Sequence, residues 1–495
     1  MLFNSYIFIF LFLPIVLIGW YGLNRTDHHK TALVFLTGMS LWFYGYFNAA
    51  YLILIVVSIL GNYAISAVLS LLETRHSSDV TNPGIHRGIF LALGLILNLG
   101  LLFYFKYYDF FIENINIIFR TDFNLRHILL PLGISFFTFQ QLSFIIDRSL
   151  GRADHYGLIE YAAFVTFFPQ LIAGPIVLHS ELVPQFKETA EKGFDAGAFY
   201  DGVISFVLGL SKKVLLADTL AIIVNYGFDT SMYLDTFSAI AVMTAYFLEL
   251  YFDFSGYSDM AIGLGLMFGI RLPVNFNSPY KASSLKELWN RWHMTLTRFM
   301  TTYVYIPLGG SRKGKIRTLI NVFIVFILSG LWHGAAWTYV VWGICTGLIV
   351  VWDNLEIVRL PKKIGVFITD ITFTLLLIPF RSTSLMQAKE IFVDLLGGWR
   401  GNLPKMSGTL VQRIPEFYLI RQFFERAFPM HVDLFNTLCI LLIIVMGIFV
   451  ITRKNVAQII ETYRDRSFLR VVVVALFVYC VISFSQVSTF IYFNF

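Results

Sequence analysis

Residues 434–452 have the sequence LFNTLCILLIIVMGIFVIT, which contains no charged side chain. A stretch of about 20 mostly apolar residues is long enough for a helix to cross a bilayer with every backbone amide hydrogen-bonded internally. Similar stretches recur along the 495 residues, of which 57% are hydrophobic and only 14% charged. An ordinary soluble domain has about 25% charged residues. The sequence therefore predicts an integral membrane protein.

Apolar segments predict about eleven membrane-spanning helices in an all-α, polytopic fold. They are residues 4–22, 31–47, 49–72, 88–106, 199–226, 237–269, 316–331, 334–352, 364–380, 434–452 and 470–490. Proline and glycine interrupt apolar sequence at 131–136 and 168–175, which predicts broken or re-entrant helices that need protein around them. We expect one domain that covers residues 1–495.

Lysine and arginine cluster in three loops, at 312–317, 359–363 and 453–470. The positive-inside rule predicts that these loops are cytoplasmic, so the hairpin between residues 316 and 352 turns toward the outer side. The loop at 309–315 could also bind phosphates or an acidic carrier protein, but anchoring of the topology explains its charges. Because the net charge of +6 comes from such loops, we expect no nucleic-acid partner.

Residues 283–298 predict a helix that begins at a capping box, with Glu287 three residues after Ser284. Helical spacing makes one polar stripe of four residues along the border of its apolar face. The stripe consists of Lys286, Asn290, His293 and Thr297. It could line a water-filled tunnel, or the helix could lie at the membrane surface, which would suit Trp289 and Trp292.

His333 lies at the predicted tip of the hairpin, with Gly330 and Gly334 close by. Small residues allow close approach of a backbone or a ligand. A neutral imidazole could accept a proton from a hydroxyl, since its ordinary pKa of about 6.5 is near the operating pH. A structural role is the alternative, because a lone histidine is more often structural.

Asp253 stands beside an apolar run, where an unpaired carboxylate is costly. We expect it to pair with Arg271 or Arg291; lining a polar path is the alternative. No nucleophile elbow, Walker loop, dinucleotide fingerprint or His-Glu-x-x-His motif is present, so serine, nucleotide and metalloprotease chemistry lack support. The three cysteines lie in apolar segments without disulfide or metal-ligand spacing, so we expect no metal.

Five motifs together resemble the membrane-bound O-acyltransferase family, and within it the bacterial alginate O-acetyltransferase branch. They are Tyr251-Phe-Asp-Phe-Ser-Gly-Tyr-Ser-Asp-Met-Ala-Ile262, Asn275-Phe-Asn-Ser-Pro-Tyr280, Trp289-Asn-Arg-Trp-His293, Tyr305-Ile-Pro-Leu-Gly-Gly-Ser-Arg312 and Leu331-Trp-His-Gly-Ala335. The resemblance covers most of the chain, from Pro131 to the terminal Phe490-Ile-Tyr-Phe-Asn-Phe495. Any one motif alone would be a weak signal.

The resemblance implies a fold with a central tunnel, in which His333 is catalytic and His293 is a second functional residue. We expect the substrate tunnel to involve Asn290, Trp332, Trp289, Arg291 and Asp253. An acyl group would pass from a cytoplasmic thioester, acetyl-CoA or another, to a hydroxyl at the outer face of the bacterial inner membrane. The partners implied are an extracytoplasmic acetyltransferase or the polysaccharide itself, such as alginate or cellulose. No bound cofactor is expected.

Three alternatives stay open. D-alanyl or other acyl transfer to a cell-wall polymer is one, because D-alanine transfer proteins of this family share the motif that ends at His293. A transporter with a midplane site between broken helices is a second alternative. The third is a scaffold without catalysis that recruits the true transferase.

Overall fold

The computed structural model describes residues 1–26, 28–75, 83–231, 234–358, 360–486 and 490–491. Arg359 of the second basic loop and residues 492–495 of the terminal motif lie outside these ranges. Within them the regular structure is helical and contains no strand. The prediction of an all-α fold is therefore confirmed.

Helices follow one another with short connections along most of the chain. The α-helices in the described ranges are α1 (Leu13–Arg25), α2 (His29–Gly45), α3 (Ala50–Arg75), α4 (Pro83–Leu102), α5 (Tyr108–Phe119), α6 (Ile134–Ser149), α7 (Leu158–Thr166), α8 (Phe168–Leu171), α9 (His179–Lys192), α10 (Ala196–Ser211), α11 (Asp218–Asp229), α12 (Thr236–Met267), α13 (Leu285–Trp289), α14 (Met294–Met300), α15 (Lys315–His333), α16 (Trp337–Leu355), α17 (Lys362–Arg381), α18 (Leu385–Leu396), α19 (Asn402–Val411), α20 (Pro415–Ala427), α21 (Val432–Thr452), α22 (Val456–Tyr463) and α23 (Ser467–Ile482). Short π-helical turns occur at Phe8–Phe12, Phe103–Tyr107, Lys212–Ala217 and Thr301–Tyr305.

Eight helical segments among the described residues are long and apolar enough to cross a membrane. They are Phe8–Arg25, Ala50–Leu72, Arg87–Phe119, Thr236–Met267, Lys315–His333, Trp337–Leu355, Lys362–Arg381 and Pro429–Thr452. The predicted count of eleven is not confirmed. Of the other predicted spans, α2 has 17 residues and α23 has 16. The third, residues 199–226, contains the charged residues Asp201, Lys212, Lys213 and Asp218.

The chain divides into two compact units. The first contains Met1–Phe206 and Ser258–Val274, and the second contains Val207–Tyr257 and Asn275–Ile491. The assignment of residues 1–495 to one domain stays a prediction.

Two helix breaks lie in the interior of the first unit. Gly133, with φ +70°, precedes α6, and Phe167 separates α7 from the short α8. A Cβ atom on Gly133 would lie 2.7 Å from the carbonyl oxygen of Leu171, so a side chain there would collide with backbone. All residues of α8 are buried. The predicted interruptions of helices inside protein are therefore confirmed.

A buried polar network joins four helices of the first unit. The Asn62 amide donates to the side-chain oxygens of Asn98 at 3.2 Å and Gln141 at 3.0 Å. The Gln141 amide donates to the hydroxyl of Ser58 at 2.9 Å, and the Tyr161 hydroxyl donates to Gln141 at 3.2 Å. Hydrogen bonds between membrane helices satisfy polar groups that lipid cannot. The network thus fixes the relative positions of α3, α4, α6 and α7.

In the second unit, α15 and α16 form an antiparallel hairpin in which the two backbones touch. A Cβ atom on Gly343 would lie 2.6 Å from the carbonyl oxygen of Phe326, and one on Gly330 would lie 3.1 Å from the Cα atom of Gly343. The close approach predicted from the small residues near His333 is therefore confirmed. This hairpin places His333 at the last residue of α15.

We predict that Gly343→Ala destabilises the protein by about 1–3 kcal/mol, because the new methyl group meets backbone that cannot rotate away. Thermal unfolding in detergent measures the loss. Gly38→Ala is the matched control, since a Cβ atom on this other helical glycine has no atom within 4 Å. An equal melting temperature for Gly343→Ala and Gly38→Ala would contradict the packing argument.

Candidate active site

The segment around His293 consists of two short helices. The Ser284 side chain accepts a hydrogen bond from the Glu287 backbone at 3.1 Å, so the predicted helix start is confirmed. The prediction of one continuous helix is wrong, because α13 ends at Trp289 and α14 begins at Met294. His293, the residue directly before α14, has the left-handed φ of +45°.

Backbone hydrogen bonds from a neighbouring extended segment explain the interruption. The Met294 amide donates to the carbonyl oxygen of Asn275 at 3.0 Å, and the Asn277 amide donates to that of Arg291 at 2.9 Å. These bonds engage the Met294 amide and the Arg291 carbonyl, which in a continuous helix would bond to other residues of the helix. Tertiary contacts thus outweigh the helical tendency of the sequence.

The hydrogen bonds of Asn275 define the tautomer of His293. Thr295 donates its backbone amide to the side-chain oxygen of Asn275 at 3.3 Å and its hydroxyl at 3.0 Å. An amide N–H only donates, so its partner is the oxygen of Asn275. The Nδ1 atom of His293 lies 3.1 Å from the same oxygen and must therefore carry its hydrogen. In the neutral ring, Nε2 then has a lone pair and acts as an acceptor.

Burial keeps His293 neutral. The side chain is 1% exposed, and the ring of Phe254 meets it edge-on at 4.7 Å between centroids. Burial lowers the pKa of His293 from its ordinary 6.5 to about 3, because the charged form loses its hydration. At neutral pH this residue can accept a hydrogen bond at Nε2 but does not act as an imidazolium acid.

Aromatic rings surround His333 at the end of the hairpin. The ring centroid of His333 lies 4.9 Å from Trp332, 5.3 Å from Trp342 and 5.1 Å from Phe380. The side chain is 3% exposed. Three neighbouring rings from α15, α16 and α17 fix its position, as a catalytic group requires.

His293 and His333 line the same cavity, of about 300 Å³, which we call the histidine cavity. All four residues of the predicted polar stripe line it, although they do not share one helix. They are Lys286, Asn290, His293 and Thr297. Val322, Phe326, Ser329 and His333 line it from one face of α15.

The histidine cavity changes in character along its length. From Val322 to His333 it extends about 16 Å along the axis of α15. At the Val322 end it is lined by Asn354 near the end of α16, and the Lys286 amide donates to the Asp353 carboxylate at 3.1 Å. Lys286 and Asn290 are exposed, whereas both histidines are buried. The cavity thus has an open polar end and a closed end at the histidines.

Of the predicted tunnel residues, Asn290 and Trp289 line the histidine cavity and three others do not. Trp332 lies between the histidines, with its centroid 5.9 Å from His293. Arg291 donates to the Glu287 carboxylate at 2.9 Å. The functional roles of all five residues stay predictions.

The prediction that Asp253 pairs with Arg271 or Arg291 is wrong. Its carboxylate binds Lys213 at 2.6 Å and accepts the backbone amide of Ile491 at 2.9 Å. Lys213 also contacts Asp218 at 2.8 Å. The overlooked signal was a lysine inside the apolar segment 199–226, where an unpaired charge is costly.

Asn275 is a second residue whose role the sequence did not show. It belongs to a recognised motif, but its position 18 residues before His293 gives no helical or strand relation to that histidine. An asparagine beside a proline-containing turn is usually a turn residue. Only the folded segment shows that it binds the imidazole.

The fold and the histidine cavity define a polytopic membrane protein with two buried histidines at one site. The membrane-bound O-acyltransferase family matches residues 147–362, which include both histidines. The peptidoglycan O-acetyltransferase of Helicobacter pylori is 38% identical over 439 residues, covering 80% of each chain. The chain therefore belongs to the membrane-bound O-acyltransferase family and is a multi-pass membrane acyltransferase.

Two further relatives differ in their degree of similarity. The probable alginate O-acetylase AlgI of Pseudomonas aeruginosa is 38% identical over 447 residues, which are 86% of this chain and 83% of the relative. The teichoic acid D-alanyltransferase of Bacillus subtilis is 28% identical over 231 residues, which are 45% of this chain and 58% of the relative. The similarity to the O-acetylating relatives is thus both higher and more extensive.

We predict that His293 makes stability depend on pH. Its folded pKa of about 3 is below the ordinary value, so the unfolded chain binds the proton more tightly. The contribution to stability is complete above pH 6.5 and falls by about 2 kcal/mol between pH 7 and pH 5. When the pH is lowered from 7 to 5, the melting temperature of the unmodified protein should therefore fall toward that of His293→Gln.

His431→Gln serves as the control, because His431 is exposed. Its melting temperature should follow that of the unmodified protein at both pH values. Parallel pH dependence in the unmodified protein and in His293→Gln would show that His293 is not held neutral by burial.

Proposed function

We propose that this protein O-acetylates a secreted polysaccharide. An acetyl group would move from a thioester on the cytoplasmic side to a hydroxyl at the outer face of the bacterial inner membrane. The observation that carries the proposal is the convergence of His293 and His333 on one cavity of a membrane acyltransferase. Two relatives at 38% identity, whose names specify O-acetylation of peptidoglycan and of alginate, favour acetyl over D-alanyl transfer.

In this proposal His333 is the general base. It accepts the proton of the acceptor hydroxyl as the oxygen attacks the thioester carbonyl, and the carbon–sulfur bond then breaks. His333 returns the proton to the departing thiolate, so the products are an ester and a free thiol. Base catalysis of this kind contributes about 10²–10⁴-fold to a rate.

His293 has a different role because of its tautomer. Since Asn275 binds Nδ1, the Nε2 atom accepts a hydrogen bond and cannot donate one to a thioester carbonyl. It is suited to orienting the acceptor hydroxyl or a bound water. Asn290, whose amide both donates and accepts, lines the exposed part of the cavity and is a candidate to bind the arm of the donor there.

The length of the histidine cavity supports a thioester donor with a long arm. A phosphopantetheine arm, which coenzyme A and acyl carrier proteins share, extends about 15 Å, roughly the length of four peptide residues. The cavity offers about 16 Å between Val322 and His333. With the thioester at His333, the phosphate would lie at the open end, beside Lys286. No carboxylate of the described residues forms an ion pair with the Lys286 ammonium group.

The proposed partners follow from the two ends of the cavity. The thioester donor would enter at the Lys286 end, near the basic loop at 312–317. The acceptor would approach His333 from the opposite end, either as the polysaccharide or as an extracytoplasmic acetyltransferase that completes delivery. The assignment of the Lys286 end to the cytoplasmic side and of the His333 end to the outer side rests on the positive-inside rule.

We predict that His333→Ala lowers acetylation of the secreted polysaccharide by about 10²–10⁴-fold, because the attacking hydroxyl loses its base. The measurement is the acetyl content of polymer from cells with equal amounts of membrane-inserted protein. His431→Ala, at an exposed histidine, should leave the acetyl content unchanged.

The same cells distinguish the alternatives. A scaffold without catalysis would support normal acetylation even when both His293 and His333 are replaced. Unchanged acetylation with folded His333→Ala would therefore overturn the proposed mechanism. Loss of D-alanine rather than acetyl groups from an envelope polymer would favour the alternative acyl group.

We predict that Lys286→Gln raises the KM for the thioester donor by about 10–100-fold, the contribution of a hydrogen bond to a charged group. The value of kcat should change little, because the side chain is distant from the reacting carbonyl. Initial rates with acetyl-CoA and with an acetylated carrier protein identify the donor. Lys362→Gln, an exposed lysine outside the cavity, controls for general electrostatic attraction. Equal KM values for Lys286→Gln and Lys362→Gln would exclude a phosphate contact at residue 286.

A further inference from the structure

Residues 382–428, which we call the connector, join two membrane spans in the second unit. The spans are Lys362–Arg381 and Pro429–Thr452. The connector contains α18, α19 and α20, which have 12, 10 and 13 residues. A helix needs about 20 residues to cross the hydrocarbon, so both ends of the connector lie at one membrane face.

The first connector helix, α18, is apolar on two opposite faces. Ala388 and Ile391 are buried against the protein. Helical spacing places Met386, Val393 and Leu396 on the other face, where they are 63%, 55% and 89% exposed. Lys389, three residues after Met386 and four before Val393, adds one charge to this face, whereas a helix beside water would carry mostly polar residues there. This outer face therefore faces something apolar.

The third connector helix, α20, repeats the arrangement. Phe424 packs inward and stacks on Phe435 of α21 at 4.4 Å between centroids. Leu419 and Phe423, four residues apart, are 70% and 76% exposed. Between the two helices, Trp399 is 72% exposed. The connector thus presents large apolar side chains along most of its length.

We propose that the connector lies in the membrane–water interface, with these side chains among the upper parts of the lipid acyl chains. Its apolar surface continues directly into the outward face of the span that follows, where Leu434 and Leu438 are 59% and 54% exposed. Tryptophan at the depth of the headgroups, as for Trp399, is typical of membrane interfaces. A helix of this kind buries its apolar face about 5–10 Å below the headgroups.

Two positive charges on the connector suit the same position. Lys389 and Arg426 are exposed and lie on the same helix faces as the apolar side chains, Lys389 between Met386 and Val393, and Arg426 three residues after Phe423. Their long side chains can place the apolar stem in lipid and the charge at the phosphate groups.

The connector is tied to the part of the second unit that holds His333. The buried Asp235 carboxylate accepts the backbone amides of Arg400 at 2.9 Å and Asn402 at 3.1 Å. Phe380, in the last turn of the span before the connector, contacts the ring of His333. The connector thus sets the depth of His333 at the headgroups. If the proposed function holds, an acceptor hydroxyl needs to enter only this shallow layer.

Site-directed spin labels test the position. Cys345→Ala removes the partly exposed cysteine, while Cys439 and Cys480 are buried and should not react. Single labels at Leu396→Cys and Phe423→Cys, in vesicles of phosphatidylethanolamine and phosphatidylglycerol, should collide several-fold more often with oxygen than with a water-soluble nickel complex. A label at Lys405→Cys, an exposed position on α19, should show the reverse.

A second measurement uses no cysteine. The difference between the fluorescence of the protein and of Trp399→Phe isolates the emission of Trp399. Lipids brominated near the headgroups should quench this emission, and aqueous iodide should not.

Nickel access at Leu396 and Phe423, or iodide quenching of Trp399, would overturn the proposal and leave a missing protein partner as the explanation. Oxygen preference at Lys405 would overturn it too, because the connector would then be inserted rather than lying at the surface. Both measurements report the depth of the connector in the membrane and not acetyl transfer. Their outcome is therefore independent of whether the proposed function is correct.

Discussion

The cost of leaving a polar group unpaired in hydrocarbon governs this protein at every level. It makes the chain helical, because a helix satisfies its own backbone amides. It also requires that polar side chains inside the spans find one another, as Asn62, Asn98 and Gln141 do in the first unit. The Lys213–Asp253 pair shows the same rule for charges in the second unit.

The same constraint shapes the histidine cavity. Polar side chains are concentrated at its open end, whereas the closed end is enclosed by the rings around His333. The hairpin of α15 and α16 provides the rigid wall, since its glycine contacts bring backbone against backbone. His333 therefore lies on an element that resists displacement, which is the condition for precise positioning of a substrate.

Sequence reasoning identified the features that depend on local pattern. The helical class, the cap at Ser284, the breaks near Gly133 and the close hairpin at Gly330 all follow from residue spacing or from the special backbone of glycine. The four residues of the polar stripe also converge on one cavity. Their common helix does not exist, because backbone bonds from residues 275 and 277 end it at Trp289.

Contacts between residues that are far apart in the sequence could not be predicted from residue spacing. Nothing in the spacing of Asp253 and Lys213, 40 residues apart, distinguishes their pairing from the expected pairing with arginine. The bond between Asn275 and His293 likewise requires the folded chain. The predicted number of eleven spans is not confirmed, since α2 has 17 residues, α23 has 16, and the apolar segment 199–226 contains Lys212 and Lys213.

The left-handed backbone of His293 has an implication for how this site can change. A side chain other than glycine at φ +45° costs roughly 1–2 kcal/mol, and asparagine or glycine would carry less of this strain. The position thus retains a residue that the local backbone disfavours, in exchange for an imidazole acceptor in the cavity. Selection for stability alone would therefore favour asparagine or glycine at this position.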